Sequence, residues 1–236
     1  MQQKNDRKLA FLILASGIGI MVVSNILKMF FPSEMAWLPE GIHSPILAFE
    51  FLHTDSEVLQ LFGPQSPDRD AWVSGMNKGH AVDYIYIVVY GLFLASWGWY
   101  CFRKTANKFF YTIIALAIIA GLSDVMENIQ LVNIASHLDA VTFAGPLRRL
   151  MIFTWLKWGS LALALTGLSV FLVNKRWLGK IYLALSLATL VLGTMAFFNR
   201  SLITSYFTLG ITMQFLLLII FAFWMVFGGK RVPFHH

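Results

Sequence analysis

The chain has 236 residues, of which 58% are hydrophobic and 13% charged, and its mean hydropathy is +0.67. That composition excludes an ordinary soluble globular domain and points to a polytopic membrane protein. The formal net charge of +6 reads as membrane topology rather than nucleic-acid binding, because no basic and aromatic face is offered to water.

In chain order, six apolar segments reach the roughly 20 residues needed to cross a hydrocarbon core about 30 Å thick. They cover residues 8–30, 81–102, 108–133, 150–173, 178–198 and 207–228. All seven prolines fall outside them, as uninterrupted helices require. The expected fold is an all-α, six-helix transmembrane bundle forming one integral membrane domain over residues 1–236. The first segment follows Lys4, Arg7 and Lys8; it is long and lacks a small-x-small cleavage pattern, so it reads as a retained helix.

Residues 31–80 separate the first two spans and are expected to form a partly helical cap. Ser44-Pro45 supplies an N-cap and first residue for a helix to about residue 53. Thr54-Asp55-Ser56-Glu57 fits a capping box, and Gly63-Pro64 ends that helix. Ser66-Pro67 starts a third helix towards the second span, its continuity weakened by Gly75 and Gly79. Ile46, Leu47, Phe49, Leu52, Val58, Leu59, Leu61 and Phe62 are too apolar for a solvated loop, which places the cap at the membrane interface or over the bundle as a lid.

Lys and Arg flank the spans at alternate ends: Lys4, Arg7 and Lys8, Arg103, Lys104 and Lys108, Lys175, Arg176 and Lys180, and Lys230 and Arg231. Basic flanks favour the cytoplasmic side. Both termini are therefore expected in the cytoplasm, with the cap on the outer face of a bacterial-type plasma membrane. The acidic residues Glu34, Glu40, Glu50, Asp55, Glu57 and Asp139 fall in outer segments, as that topology implies. The single Cys101 permits neither an intrachain disulfide nor a cysteine metal cluster.

Asp124-Val-Met-Glu127-Asn128 stands inside the third span, where carboxylates cost several kcal/mol unless paired, protonated or facing water. Positions three and four apart share one helix face. Asp124, sixteen residues beyond Lys108, lies roughly 24 Å from the cytoplasmic edge, in the outer half. Asn25 and Lys28, Asp83, Lys157, Thr194 and Gln214 bring polar groups from the other spans to a similar height. The coincidence describes a polar chamber in the outer half; the competing explanation is interhelical hydrogen bonding that merely fixes packing. Asp83, Asp124 and Glu127 outnumber Lys157, so the chamber must bind a cation, take up a proton on Glu127 or Asp124, or draw in Arg148 or Arg149.

These residues point first to binding or acid–base processing of a hydrophobic, lipid-like or isoprenoid-like molecule that enters from the outer leaflet. Asp83, Asp124, Glu127, Asn128 and Lys157 would carry the chemistry, with Glu50, Tyr90, Trp155, Trp158, Arg148, Arg149 and Gln214 holding the molecule. One alternative is a proton- or cation-coupled transporter, for which buried carboxylates are equally apt; another is a non-catalytic membrane assembly subunit. Membrane lipids or a hydrophobic small molecule are the expected partners, and both an enzymatic role and a homo-oligomer are left open. No cofactor is expected. A divalent metal on Glu50, His53 and His80 is the alternative, suggested by i, i+3 pairs of carboxylate and histidine. No histidine lies mid-span to ligate a haem, and no nucleophile elbow, phosphate loop or zinc-protease helix is present.

The succession His43-Ser-Pro-Ile-Leu-Ala-Phe-Glu50-Phe-Leu-His53-Thr54, Asp83-Tyr84, Tyr90-Gly91, Asp124-x-x-Glu127-Asn128 and Lys157-Trp158 resembles a family of small bacterial multispan membrane proteins with an Asp-x-x-Glu-Asn transmembrane motif and no assigned activity. The similar stretch covers roughly residues 43–160. The resemblance implies that Glu50, Asp83, Asp124, Glu127, Asn128 and Lys157 form one constellation. His53 stands where that pattern has a small residue.

Overall fold

The structure, a computed structural model, describes residues 2–175 and 177–228, with side chains described from Asp6 onward. Lys4, Arg176, Lys230 and Arg231, used above for topology, lie outside the described residues or side chains. Among the described residues the chain is helical throughout, with eight helices and no strand. Six are long: α1 Gln2–Phe30, α4 Pro67–Thr105, α5 Phe110–Ser136, α6 Ala144–Leu172, α7 Trp177–Phe198 and α8 Leu202–Phe227, with the short α2 Pro45–Glu50 and α3 Asp55–Phe62 between α1 and α4. All six long helices are apolar enough to span a membrane. Val22, Val88, Leu122, Leu163, Val191 and Phe223, one on each, are all more than half exposed. Water penalises such a surface on every side, whereas lipid accepts it, and a helix satisfies its own backbone where no water can. This is a multispan membrane protein.

The long helices form a closed ring in chain order, α1 against α4, then α5, α6, α7, α8 and back to α1. Two apolar cores fill it. The larger includes Phe93, Trp97, Phe110, Leu165, Tyr182 and Phe221. The smaller lies at one end and joins the cap to the neighbouring ends of α4, α5 and α6 through Phe49, Leu61, Phe62, Met76, Leu131 and Leu150. The cap is thus a folded lid with its own core. At the opposite end, Asp6 of α1 pairs with Arg103 (3.0 Å) and Lys104 (2.7 Å) of α4.

Local signals in the cap were mostly readable from the sequence. Thr54 and Glu57 form a full capping box, with the Glu57 N–H donating to Thr54 Oγ1 at 3.2 Å and the Thr54 N–H to Glu57 Oε2 at 3.2 Å. Ser66 accepts from the Arg69 N–H and opens α4. Three expectations need correction. The Ser44 side chain makes no capping bond, and α2 ends at Glu50 rather than about residue 53. The third cap helix and the second span are one helix, so the cap ends before residue 67. Gly75 and Gly79 do not break it; they let the chain leaving α1 lie against it, since a Cβ on Gly79 would stand 2.7 Å from Cδ1 of Phe31 and one on Gly75 2.7 Å from the Phe30 carbonyl. Pro67 and Pro146 lie in the first turns of α4 and α6, where the missing N–H costs no helical bond.

Polar pins hold the lid. Arg200, between α7 and α8, donates to Glu57 and to the Phe51 carbonyl. Asp55 accepts from the Thr142 hydroxyl (2.7 Å) and the Phe143 N–H (2.9 Å) at the entry to α6. Ser205 of α8 donates to the Gly41 carbonyl at 3.0 Å. Burial alone would push the Glu57 carboxyl up, but the Arg200 hydrogen bonds, the His53 N–H, the Arg200 charge and the Thr54 N–H together hold it below the ordinary carboxylate value.

A carboxyl held below its unfolded value adds stability that is fully present above the unfolded value and drains away as pH falls through the folded one. Glu57→Gln is therefore expected to cost roughly 1.5–3 kcal/mol at neutral pH and to flatten the loss of stability below about pH 4.5. Thermal unfolding of the detergent-solubilised protein from pH 3 to 7 measures both; an unchanged acid limb would show that Glu57 does not anchor the lid.

Candidate functional site

Between the two cores runs a polar layer. On α4 it holds His80 and Asp83, on α5 Asp124, Glu127 and Asn128, and on α6 Thr154 and Lys157. The flanking residues on those helices belong to the cap core on one side and the larger core on the other. The i, i+3, i+4 spacing on α5 turns its three polar residues inward, and all are buried, Glu127 completely.

Lys157 is the centre of the layer. Its ammonium contacts Glu50 Oε1 (3.2 Å), Asp124 Oδ1 (3.5 Å) and Glu127 Oε2. Each of these carboxylates has a second oxygen, and each second oxygen has its own neutral partner. Trp158 Nε1 donates to Glu50 Oε2 (3.1 Å), the Tyr90 hydroxyl to Asp124 Oδ2 (2.9 Å), and the Thr154 hydroxyl faces Glu127 Oε1 (2.7 Å). Thr154 Oγ1 also lies 3.2 Å from the Glu50 carbonyl. A hydroxyl has one hydrogen, so both Thr154 contacts are satisfied together only when Glu127 carries a proton and donates to Thr154, which then donates to Glu50. Glu50 comes from the lid. Burial pushes its carboxyl up and the Asp124 charge adds to this; Lys157 and the Trp158 N–H pull the other way without cancelling it.

A second unit adjoins the first. Asn128 Nδ2 donates to Asp83 Oδ2 at 2.7 Å, which turns Asn128 Oδ1 to His80 Nδ1 at 2.9 Å. A carbonyl oxygen only accepts, so His80 carries its hydrogen on Nδ1. Its Nε2 is left as a buried acceptor with no hydrogen-bond partner among the described residues.

Both units border a cavity of about 650 Å³. Glu50, His80, Asp83, Tyr90, Asp124 and Lys157 line its polar side, with Asn128 and Trp158 beside them. The wall on α1 and α8 is largely apolar, with Ile20, Leu27, Ile211, Phe215 and Ile219, and its polar residues are Ser24, Asn25 and Lys28 of α1 and Thr212 of α8. Met21 and Lys28 of α1 and Thr212 of α8 also line it and are exposed. The opening therefore lies between α1 and α8. Farther from the cap the same helices close together: a Cβ on Gly17 would stand 2.8 Å from Ile219, and Phe11 packs edge-on against Phe227.

The remaining sequence candidates lie elsewhere. Arg148 and Arg149 are exposed and do not fold into the chamber; Arg149 donates to Gln130 at 2.9 Å. Gln214 is buried between α7 and α8, bonded to Ser186 (2.8 Å) and Thr189 (3.0 Å). Trp155 packs on Phe51, Phe197 and Phe207. Thr194 is exposed and bonds its own helix at Leu190. Glu50, His53 and His80 do not converge, because Glu50 faces Lys157 while His53 is exposed in the lid. Among the described residues no group of three or more His, Cys, Asp or Glu side chains is placed to hold a metal ion; the Lys157 ammonium occupies the point between Glu50, Asp124 and Glu127. Thr154 was not singled out from the sequence, although its i, i+3 spacing to Lys157 was a usable signal. On α1, Asn25 and Lys28 line the cavity, as their height in the sequence suggested, whereas the apolar lining residues of α1 and α8 carry no sequence signal beyond hydrophobicity.

Comparison of the chain with protein-family models, with curated proteins and with solved structures finds no match.

Removing one member of a buried ionic cluster leaves its partners charged and uncompensated, so Lys157→Met is expected to destabilise the protein by about 3–5 kcal/mol. Tyr90→Phe deprives Asp124 Oδ2 of its donor and should cost about 1–3 kcal/mol. Chemical unfolding in detergent ranks them; a Lys157→Met protein as stable as the wild type would mean that the carboxyls do not depend on that charge.

Proposed function

We propose that this protein binds a hydrophobic, lipid-like or isoprenoid-like molecule in the cavity beneath the lid, and that the carboxyl groups beside it can give and take protons. The observation that carries this reading is the division of the cavity into a largely apolar wall on α1 and α8 and a wall on α4, α5 and α6 that holds the carboxyls and Lys157. An amphiphile needs that pair of surfaces. A volume of about 650 Å³ lies within the usual range for small-molecule sites, and an opening between two spanning helices gives entry from lipid.

The lipid-like occupant fits the proposed orientation. Arg103 and Lys104 lie at the end of the bundle opposite the lid, which supports a cytoplasmic position for that end and an outer position for the lid in a bacterial-type plasma membrane. The cavity then opens to the outer leaflet. Transport would need a polar route onward to the basic end, where Trp97, Tyr100, Phe110, Phe171 and Phe221 pack together instead; this favours binding. The grouping of Glu50, Asp83, Asp124, Glu127, Asn128 and Lys157 in one layer also agrees with the constellation implied by the family resemblance.

Native mass spectrometry of the protein released from a mild neutral detergent tests the proposal. Wild-type protein is expected to retain or take up a hydrophobic molecule, and Ser24→Trp, which fills the cavity from α1, to lose it while keeping its melting temperature. Wild-type protein that binds neither single-chain nor diacyl lipids on titration would refute the reading.

A further inference from the structure

The charges on the polar wall are unequally served. Lys157 is committed to the three carboxylates that it contacts, Glu50, Asp124 and Glu127. Asp83, the fourth carboxylate of the layer, has no cationic partner within ion-pairing distance among the described residues. Its Oδ2 receives the Asn128 amide, and no hydrogen bond to its Oδ1 is present among them. Three residues away on the same helix, His80 is only 1% exposed and its Nε2 lacks a partner. The two side chains are held side by side by the single Asn128 amide, which donates to one and accepts from the other. Both border the cavity. This part of the wall therefore offers the open oxygen of the Asp83 carboxyl and the unpartnered His80 Nε2 against a single spare donor, the second hydrogen of the Asn128 amide.

Chemistry that complements it must bring hydrogens and positive charge. A hydroxyl supplies one hydrogen and no charge, a carboxylate or phosphate supplies neither, and a primary ammonium supplies three hydrogens with a full charge. Resting on the proposed binding of a hydrophobic molecule, we infer that the occupant is an amphiphile with a primary ammonium head, held at Asp83 and His80, whose apolar part lies between α1 and α8. The head brings Asp83 a counter-charge that Lys157, a single cation already shared among three carboxyls, does not supply. Lys28, the other cationic residue lining the cavity, is exposed at the end of α1. It offers a cation to a phosphate attached to such a head, so an aminophospholipid and a single-chain amine are the two sources of this chemistry.

The test is competitive binding to the full chain in neutral detergent, read by native mass spectrometry. The probes are dodecylamine, dodecanol, phosphatidylethanolamine and phosphatidylglycerol. The amine and phosphatidylethanolamine are expected to bind at least about tenfold more tightly than their uncharged or anionic counterparts. Asp83→Asn should abolish that preference, and an unchanged far-UV circular dichroism spectrum shows that the fold persists. Tighter binding of phosphatidylethanolamine than of dodecylamine, reversed by Lys28→Ala, assigns the head to a phospholipid; the opposite order without a Lys28 effect assigns it to a single-chain amine. Wild-type protein that prefers dodecanol or phosphatidylglycerol overturns the ammonium inference but leaves the binding reading standing, as does an amine preference that survives Asp83→Asn. Binding of none of the four probes overturns both.

Discussion

The Lys157 ammonium, buried among carboxylates from two other helices, is the interaction on which the rest of the molecule depends. An isolated ammonium away from water is prohibitively costly, and so is an isolated carboxylate. Each group is tolerable only because the others are within reach and because Trp158, Tyr90 and Thr154 meet the oxygens that Lys157 leaves over. The requirement is geometric as well as electrostatic. Glu50 belongs to α2, Asp124 and Glu127 to α5, and Lys157 to α6, so satisfying the charge draws the lid and two spanning helices to one point. The lid cannot lift freely without separating Glu50 from its cation.

The layer is stable because apolar packing holds it from both sides. On α4, Met76 precedes and Ile87 follows the pair His80 and Asp83; on α5, Ala120 and Leu131 bracket the motif; on α6, Leu150 and Leu161 bracket Thr154 and Lys157. Hydrocarbon burial on either side positions the polar groups without itself favouring any of their hydrogen bonds. The arrangement leaves one asymmetry, because α1 and α8 bring apolar wall residues to the layer where α4, α5 and α6 bring ionisable ones. The cavity lies along that boundary. Arg200 and Ser205 then tie the lid to the α7–α8 connection and to α8, and Asp55 ties it to the entry of α6, so the cap bridges helices that are distant in sequence.

Much of the fold was legible because the bilayer imposes simple rules. A spanning helix must be long, apolar and internally hydrogen-bonded, and each such run in the sequence became one helix. Capping chemistry is equally local, which is why Thr54, Glu57, Gly63 and Ser66 could be read in place. Gly75 and Gly79 were misleading for the opposite reason. Their propensity argues against a helix, but the close approach of Phe31 is a tertiary contact that makes small residues necessary there. Arg148, Arg149, Trp155, Thr194 and Gln214 stand at suitable heights along their helices, yet height says nothing about rotation about the helix axis, and that rotation turns them to the surface or to other interfaces.

The sequence by itself determined that the chain is a six-span membrane protein and that costly ionisable groups gather in one layer, because transfer free energies and helical periodicity depend only on the order of residues. It also identified the Asp124, Glu127 and Asn128 face, since three- and four-residue spacing fixes that geometry within one helix. Only the tertiary structure decided that Glu50 descends from the lid to share Lys157, that Asn128 bridges His80 and Asp83, and that α1 and α8 part to leave an apolar wall opposite them. Those outcomes depend on how helices rotate and pack against one another, which is set by contacts between residues far apart in the sequence, such as Trp158 with Glu50, 108 positions away.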